Sequence, residues 1–279
     1  RSGAGAVKLR VATCKTLPEE DADEAPLSAA LAAAGIDAPL VAWDDPSADW
    51  DAPIPTIIRS TWNYALQLDA FLAWVDRAAA AAPLLNPPDI VRANVRKRYL
   101  LEMQARGVPV VPTKLVERGE ICELPATRIV IKPEIGAGSL HTKSFADGRN
   151  GIDHLRFVTS LGAALVQPYV ASVDDYGERS LIWIDGEFTH AIRKTPRFAG
   201  DIERIEGPFP IADNERAVAT AAIAPYVDRI LYGRVDMVRD PDEQPMVAEL
   251  ELVEPSLFFP KYPPALDRFI AGLERRLNW

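Results

Sequence analysis

Cysteine and histidine are scarce in this chain, which contains two cysteines and three histidines. Cys14 and Cys122 lie far apart, so the sequence offers neither the cysteine pairs of a disulfide framework nor the spaced ligands of a structural zinc site. No apolar run is long enough to span a membrane, and no secretory signal segment is visible. We therefore expect a cytoplasmic protein without a membrane partner.

Positive charge is also in short supply. The chain has 31 lysines and arginines against 40 aspartates and glutamates, which gives a formal net charge of −9. A chain with this balance lacks the basic surface that holds nucleic acid without sequence preference. No Gly-x-Gly-x-x-Gly motif follows the first predicted strand. We therefore expect neither a nucleic-acid partner nor a dinucleotide site at that strand.

Strands and helices alternate in the N-terminal part of the chain. Apolar runs predict strands over 8–14, 38–43 and 55–59, and helical spacing predicts helices over 24–34 and 69–82. This order indicates a small α/β domain with a mostly parallel sheet. Farther along, we predict helices over 94–106, 151–161, 214–228 and 263–279 and strands over 164–170, 230–238 and 246–254. A chain of 279 residues exceeds the usual size of one domain, so two or three lobes are expected.

A strand that ends in a lysine and runs into a glycine-rich turn is the central motif. Residues 129–131 are β-branched and apolar, as a buried strand prefers, and Lys132 follows them. Gly136 and Gly138 allow a turn whose backbone amides point one way, and a second strand follows. A lysine beside such a row of N–H groups suits the phosphates of a nucleotide. The alternative is an ordinary hairpin turn.

Aromatic residues accompany an arginine after the third predicted strand. Ligands in open α/β sheets bind at the carboxyl ends of strands. Arg59 there could hold a substrate carboxylate, with Trp62 and Tyr64 as the walls of the pocket. The alternative is an arginine near two aromatics packed between domains. Pro87 and Pro88 then predict an extended connector.

Three further segments could contact a nucleotide. Asn94 is a candidate N-cap of the helix over 94–106, and Lys97 would lie in its first turn, although most such lysines face solvent. The strand over 164–170 ends in Gln-Pro-Tyr-Val, which could present backbone groups to an adenine ring or could be an edge strand ended by proline. A hairpin over 178–194 ends in Arg193 and Lys194, which face either a phosphate or solvent. Residues 194–207 are polar, and we expect them to be mobile.

Three carboxylates alternate along two apolar strands near the C-terminus. Arg234 and Asp236 share one face of the first strand, and Glu249 and Glu251 share one face of the second. Burying unpaired charge is costly, so these acids need a partner. Carboxylates together with phosphate oxygens are a ligand set that magnesium takes. The alternative is a face open to water or bridged to Arg234.

The order of these parts resembles the ATP-grasp superfamily. The series comprises Lys97, Lys132 before the glycine loop, Gln167–Val170, Arg193-Lys194, Arg234 with Asp236, and Glu249 with Glu251. Within it the chain looks most like the group of glutathione synthetase-like enzymes and O-ureido-D-serine cyclo-ligase, through Arg59–Trp62, Gly177–Leu181 and Glu254–Phe259. The resemblance implies a mixed α/β and α+β fold: a Rossmann-like α/β domain over 7–92, then α+β lobes over 93–170 and 171–279 that clamp ATP.

The resemblance also implies roles for individual residues. ATP would contact Lys97, Lys132, Gly136, Gly138, Ser139, Gln167, Tyr169, Val170 and Glu178. Catalysis would fall to Lys132, Arg193 and Arg234, and the substrate would contact Arg59, Trp62, Tyr64 and Arg193. Asp236, Glu249 and Glu251 would hold one or two Mg²⁺ ions, with Mn²⁺ as the alternative. The superfamily usually has asparagine where this chain has Glu251, and Glu254 leaves a second register for the last ligand.

The implied activity is ATP-dependent C–N ligation of a small amino acid or short peptide through an acyl-phosphate. The most specific form is ring closure of an O-ureido-serine-like amino acid. The alternatives are an intermolecular amino acid or peptide ligase, a small-molecule kinase, and a nucleotide-binding regulatory protein without turnover. Oligomeric state is open, with a homodimer as one expectation.

Overall fold

The computed structural model describes residues 7–120, 122–136, 138–195 and 204–277. The strands are β1 Val7–Lys8, β2 Arg10–Thr13, β3 Ile36–Asp37, β4 Leu40–Ala42, β5 Thr56–Ile58, β6 Leu84–Leu85, β7 Lys114–Val116, β8 Ile129–Pro133, β9 Lys143–Phe145, β10 Ala164–Pro168, β11 Glu178–Ile184, β12 Glu187–Lys194, β13 Ile205–Phe209, β14 Tyr232–Arg239 and β15 Pro245–Glu251. The α-helices are α1 Glu24–Ala33, α2 Leu68–Ala81, α3 Pro88–Asn94, α4 Tyr99–Ala105, α5 Ile152–Leu161, α6 Ser172–Asp175, α7 Asp213–Ile223 and α8 Pro263–Leu277. Short 3₁₀ turns lie at Tyr64–Leu66, Gly148–Gly151 and Phe259–Lys261.

The N-terminal sheet is parallel and has the order β4-β2-β5-β6. Its strands are apolar because both faces are covered, and Val11, Ile57 and Ile58 are at most 3% exposed. Parallel strands bring their carboxyl ends to one edge, so the loops after β2, β4 and β5 meet there. The predicted parallel sheet of this α/β region is confirmed.

The central sheet is antiparallel and has the order β7-β10-β8-β9. Helix α5 covers one face and packs Leu155 and Val158 against Ile129 and Ile131 of β8. Strands β8 and β9 flank the glycine-rich turn, as the sequence predicts. The sheet thereby fixes Lys132 at the end of β8.

The C-terminal sheet has five antiparallel strands in the order β13-β12-β11-β14-β15. One face packs on α4 and α7, and the opposite face packs on α8 and on the N-terminal sheet. Helix α8 turns Leu266, Phe269 and Leu273 inward, which its helical spacing predicts. Together with the parallel sheet, the two antiparallel sheets confirm the mixed α/β and α+β architecture.

The helix predicted over 94–106 begins only at Tyr99, a separate helix precedes it, and the prediction of its N-cap is wrong. Helix α3 begins at Pro88, where proline suits the first helical turn, so the two prolines do not form an extended connector. Asn94 ends α3, and its side chain instead donates to the carbonyl of Leu250 and accepts from the N–H of Leu252. Lys97 therefore lies between two helices.

Several other predicted bounds are too long. Strand β10 ends at Pro168, β15 ends at Glu251, and α7 ends at Ile223. Beyond β15 the chain leaves the sheet because Asn94 and Trp62 bond its backbone at Leu252 and Glu254. Of the polar segment expected to be mobile, residues 196–203 lie outside the described ranges, and part of the remainder forms β13, which pairs with β12.

Candidate active site

Four charged side chains meet on one face of strands β14 and β15. Asp236 lies opposite Glu249, and Arg234 lies opposite Glu251. The pairing shifts by one residue between Asp236 and Met237, which leaves Ala248 as an extra residue in β15. Without this bulge, Glu249 and Glu251 would project from the opposite face of the sheet.

Arg234 is the centre of this group. Its Nε and Nη2 atoms bond the two carboxylate oxygens of Asp236 at 2.8 and 2.9 Å, and Nη2 also bonds Glu251 at 2.7 Å. Nη1 donates to the carbonyl of Ser256 at 3.1 Å. Burial by itself raises the pKa of Asp236, but Arg234 and Lys194 outweigh it and hold that pKa well below its usual range. Asp236 is therefore ionised at neutral pH.

Both lysines singled out in the sequence reach Glu249. The Nζ atom of Lys132 lies 3.0 Å from Glu249 Oε1, and Nζ of Lys97 lies 3.5 Å from Oε2. Lys97 also donates to the carbonyl of Gly136 at 3.0 Å. Burial raises the pKa of Glu249, but the two lysines prevail and lower it to about 2. The lysine at the end of β8 and the acid on β15 thus meet across the two antiparallel sheets.

The structure brings Lys194, and not Arg193, to this cluster. Lys194 Nζ lies 2.5 Å from Glu178 Oε1 and 3.0 Å from Asp236 Oδ2. Arg193 projects from the other face of β12, where it bonds Glu206 and lies 5.4 Å from the ring of Phe209. The catalytic and substrate-binding roles assigned to Arg193 from the sequence therefore have no support in the geometry.

A second bulge explains why Lys194, and not Arg193, reaches the cluster. The hairpin begins with Ile184 opposite Glu187, but the pairing shifts by one residue at Thr189, so Glu178 faces Lys194. A regular hairpin would have placed Arg193 opposite Glu178. Burial, which Lys194 offsets only in part, raises the pKa of Glu178 to about 7.

The glycine-rich turn lies beside this cluster and is open to solvent. Gly138 and Ser139 both have left-handed backbone angles, with φ of +59° and +61°. The N–H of Thr142 donates to the carbonyl of Ser139 at 3.0 Å and closes the turn. Gly136 contributes its carbonyl to Lys97, so the turn and the first lysine are directly connected.

The segment predicted to meet adenine connects the central and C-terminal sheets. Gln167 is buried, and its amide donates to Thr113 Oγ1 at 2.8 Å. The ring of Tyr169 lies 3.3 Å from the guanidinium carbon of Arg128, and burial together with Asp174 raises the pKa of Tyr169 to about 12. Val170 follows and accepts from the N–H of Val173 at 3.3 Å. These contacts fix the segment but leave its nucleotide role a prediction.

Arg59 joins the N-terminal sheet to the segment that follows β15. Its guanidinium is 2% exposed, donates to the carbonyl of Pro255 at 2.9 Å and lies 3.4 Å from Asp23. Its Nε and Nη1 atoms have no partner among the described residues. Trp62 donates to the carbonyl of Glu254 at 3.0 Å, and the ring of Tyr64 is buried. The loop therefore packs between the N-terminal sheet and the segment after β15, and two buried guanidinium nitrogens of Arg59 lack a hydrogen-bond partner among the described residues.

The described ranges contain no group of three or more His, Cys, Asp or Glu side chains arranged to hold a metal ion. Asp236, Glu249 and Glu251 instead accept bonds from lysine and arginine. The chemistry of the set nevertheless fits a hard cation, because two of the acids are ionised and lie opposite each other on adjacent strands. Burial and the charge of Glu251 raise the pKa of Glu254 to about 8, so Glu254 is the weaker candidate for the last ligand.

Sequence reasoning missed several residues that shape the site. These are Glu134, which bonds the segment around Lys97, and Asp23, which accepts from the N–H groups of Leu257, Phe258 and Phe259; Asn94, predicted only as an N-cap, instead bonds β15. Each contact joins residues far apart in the chain, so no local pattern could have indicated it.

Comparison with solved structures places the fold. The crystal structure of D-cycloserine synthetase DcsG has a TM-score of 0.85 and 32% sequence identity to this chain, covering 97% of this chain and 99% of that one. The ATP-grasp ligase PsnB, complexed with a minimal precursor, has a TM-score of 0.63 and 17% identity, covering 96% and 99%. The fold is therefore that of the ATP-grasp carboxylate–amine ligases.

The family follows from sequence comparison. The family model for the N-terminal domain of D-cycloserine synthetase DcsG matches residues 9–86. The cycloserine biosynthesis protein DcsG of Streptomyces lavendulae is 34% identical over 285 residues, which cover 92% of this chain and 95% of that protein. This chain belongs to the DcsG family. Within the part of the chain that the structure describes, no helix is long and apolar enough to cross a membrane.

Proposed function

We propose that this enzyme closes the ring of D-cycloserine, or of a close analogue, from an O-ureido-serine-like amino acid. The similarity to D-cycloserine synthetase over nearly the whole chain supports this substrate class. The observation that carries the proposal is the cluster in which Lys97, Lys132 and Lys194 meet Asp236 and Glu249 across the two antiparallel sheets. Such a set of cations and acids suits a triphosphate with its metal ion.

The lysines and acids would exchange partners when ATP binds. Lys97 and Lys132 would turn from Glu249 to the phosphate oxygens, beside Gly136, Gly138 and Ser139 of the turn. Asp236, Glu249 and Glu251 would hold Mg²⁺, with Mn²⁺ as the alternative. The bound metal supplies positive charge that neutralises the phosphate oxygens. Gln167, Tyr169, Val170 and Glu178 remain the proposed contacts of the rest of the nucleotide.

The chemistry proceeds in two displacements. A carboxylate oxygen of the substrate attacks the γ-phosphorus, the bond from that phosphorus to the β,γ-bridging oxygen breaks, and ADP leaves. A nitrogen of the same molecule then attacks the acyl carbon, the C–O bond to phosphate breaks, and the nitrogen loses a proton. The first product is a cyclic amide that still carries the carbamoyl group of the ureido nitrogen, released with ADP and inorganic phosphate. Hydrolysis of that carbamoyl group consumes one water, releases carbon dioxide and ammonia, and leaves the cycloserine ring.

Arg234 and Lys194 would stabilise the transferring phosphoryl group. Arg234 is held in place by Asp236, Glu251 and the carbonyl of Ser256, so its charge needs little rearrangement during the reaction. Arg59, Trp62 and Tyr64 lie at the carboxyl edge of the N-terminal sheet and are the proposed substrate contacts. The two unpartnered nitrogens of Arg59 support its role toward a carboxylate.

The test is ADP release by the purified enzyme with Mg²⁺ and O-ureido-D-serine, its L-enantiomer, and a panel of amino acids and dipeptides. We expect ADP with the D-enantiomer, and a cyclic product by mass spectrometry. The Lys132→Met variant is the control for contaminating ATPase. A linear product that combines two substrates would support an intermolecular ligase and reject the cyclase proposal.

A further inference from the structure

A buried carboxylate clamps the segment that carries Lys97. The side chain of Glu134 is 2% exposed. Its Oε1 atom accepts from Nε of Arg98, and its Oε2 atom accepts from Nη1 of Arg96 at 3.3 Å. The backbone carbonyl of Glu134 accepts from the N–H of Lys97 at 3.0 Å. One residue thus bonds three consecutive residues, with the lysine in the middle.

Lys97 depends on such tertiary contacts for its position. It lies between α3 and α4, and its N–H bonds Glu134 rather than a carbonyl of a preceding helical turn. The Nζ atom of Lys97 then reaches Gly136 and Glu249. Glu134 itself is fixed at the end of β8 because its N–H donates to the carbonyl of Ala163 at 2.9 Å.

We propose that Glu134 is a positioning residue that holds Lys97 where the triphosphate binds. This inference rests on the proposed function, in which Lys97 contacts ATP. Glu134 does not touch the nucleotide, because its two carboxylate oxygens are taken by Arg96 and Arg98. Its effect on ATP passes through Lys97. A residue that only supports the fold would affect stability without changing phosphate recognition.

The chain offers a variant that keeps the fold and a matched control. The side chains of Arg96 and Arg98 are 43% and 41% exposed, so their charges stay hydrated in Glu134→Gln, which also retains a carbonyl acceptor. Arg98 bonds a second acid, Glu117, at 2.9 Å, and this acid is 54% exposed. Glu117→Gln therefore removes a carboxylate from the same arginine while leaving the contacts of Glu134 intact.

The experiment measures dissociation constants of ATP and adenosine by calorimetry for the wild type, Glu134→Gln, Glu117→Gln, Lys97→Met and the Glu134→Gln/Lys97→Met double variant. Losing a bond to a charged group should weaken ATP binding of Glu134→Gln about tenfold or more and leave adenosine binding unchanged. Glu117→Gln should bind ATP within about twofold of the wild type. The double variant should bind ATP no more weakly than Lys97→Met, because two residues that act through one contact are not additive.

Three results would overturn the inference. Glu134→Gln could bind ATP as tightly as the wild type does, or it could weaken adenosine binding as much as ATP binding. In the double variant, it could add its full effect on ATP affinity to that of Lys97→Met. If the wild type binds ATP and Lys97→Met weakens it while Glu134→Gln does not, only the inference fails. If the wild type does not bind ATP, the proposed function fails as well. Should Glu134→Gln not fold, Arg96→Met combined with Arg98→Met removes both partners of the carboxylate and tests the same expectation.

Discussion

Replacing each of two neighbouring cations with methionine distinguishes the roles of the two faces of β12. Lys194→Met removes the cation between Glu178 and Asp236, and Arg193→Met removes the one that bonds Glu206. Methionine keeps much of the length and the apolar stem of both side chains. The comparison therefore isolates the charge on each face. We expect turnover to depend on Lys194 and to be nearly indifferent to Arg193.

The structure sets the size of each effect. Removing one fixed charge that stabilises a transferring group costs about 10²- to 10³-fold in kcat, and we expect this of Lys194→Met. Arg193 belongs to an ion pair whose side chains are 37% and 54% exposed. Such a pair contributes about 0–1 kcal/mol to stability. Even if the whole of this interaction energy were lost in the transition state, kcat would fall about fivefold or less. The two variants should therefore differ in kcat by at least about tenfold.

Stability must be measured beside activity because Lys194 is buried. Breaking a buried ion pair costs about 3–5 kcal/mol when the remaining charge is left alone. Asp236 retains Arg234 at 2.8 Å, and burial already raises the pKa of Glu178 to about 7, so Glu178 can take up a proton. We therefore expect Lys194→Met to lower the free energy of unfolding by less than about 3 kcal/mol.

The assay is steady-state ADP release at saturating ATP, with thermal unfolding of each variant. Lys194→Arg is the control that preserves charge and should keep more activity than Lys194→Met. The reasoning fails if Arg193→Met loses as much kcat as Lys194→Met while both remain folded. It also fails if Lys194→Met turns over within a few-fold of the wild type.

Three further predictions concern the same sheets. Asp236→Asn with Glu249→Gln should abolish metal-dependent turnover, measured over a titration of Mg²⁺ and Mn²⁺; unchanged rates would mean that these acids only make ion pairs. Lys132→Met should weaken ATP binding at least about tenfold in calorimetry, with an unchanged circular dichroism spectrum; wild-type affinity would refute its role. Burial lowers the pKa of His190 to about 4, so the folded protein favours the neutral ring. The contribution of this ring to the free energy of unfolding is therefore complete above the unfolded pKa of about 6.5 and is lost as pH falls toward 4. That loss is about 3 kcal/mol, so urea unfolding at pH 7 and pH 4 should show a smaller difference for His190→Gln than for the wild type; an equal difference would assign the pH dependence to other groups.

Local patterns in the sequence predicted secondary structure and candidate polar sites, and the order of these motifs, through its resemblance to the ATP-grasp superfamily, indicated the class of enzyme. Apolar runs and their spacing predict the parallel N-terminal sheet, the β8–β9 turn and the inward face of α8, because a half-buried strand or helix needs that alternation. A lysine at the end of a buried strand, and acids alternating along apolar strands, indicate a polar partner for the same reason. These are properties of neighbouring residues, which the chain carries before it folds.

The relation between distant strands was decided by the tertiary structure. A single extra residue, Thr189 in β12 and Ala248 in β15, determines which side chains face the site. Beyond each bulge, packing fixes the register: Phe188 and Ala191 are both buried on the side of α7, as are Val247 and Leu250, although each pair is three residues apart. Strict alternation would place the members of each pair on opposite faces.

The sequence by itself determined which chemical groups the enzyme has and the order in which they occur along the chain. Only the tertiary structure decided that Lys194 rather than Arg193 contacts Asp236. It also decided that Lys97 lies between two helices, where its N–H bonds the backbone carbonyl of Glu134. The physical reason is that burying apolar side chains on both faces of the C-terminal sheet outweighs regular alternation in two of its strands. The free energy gained by this burial depends on side chains from other parts of the chain, which no local pattern specifies.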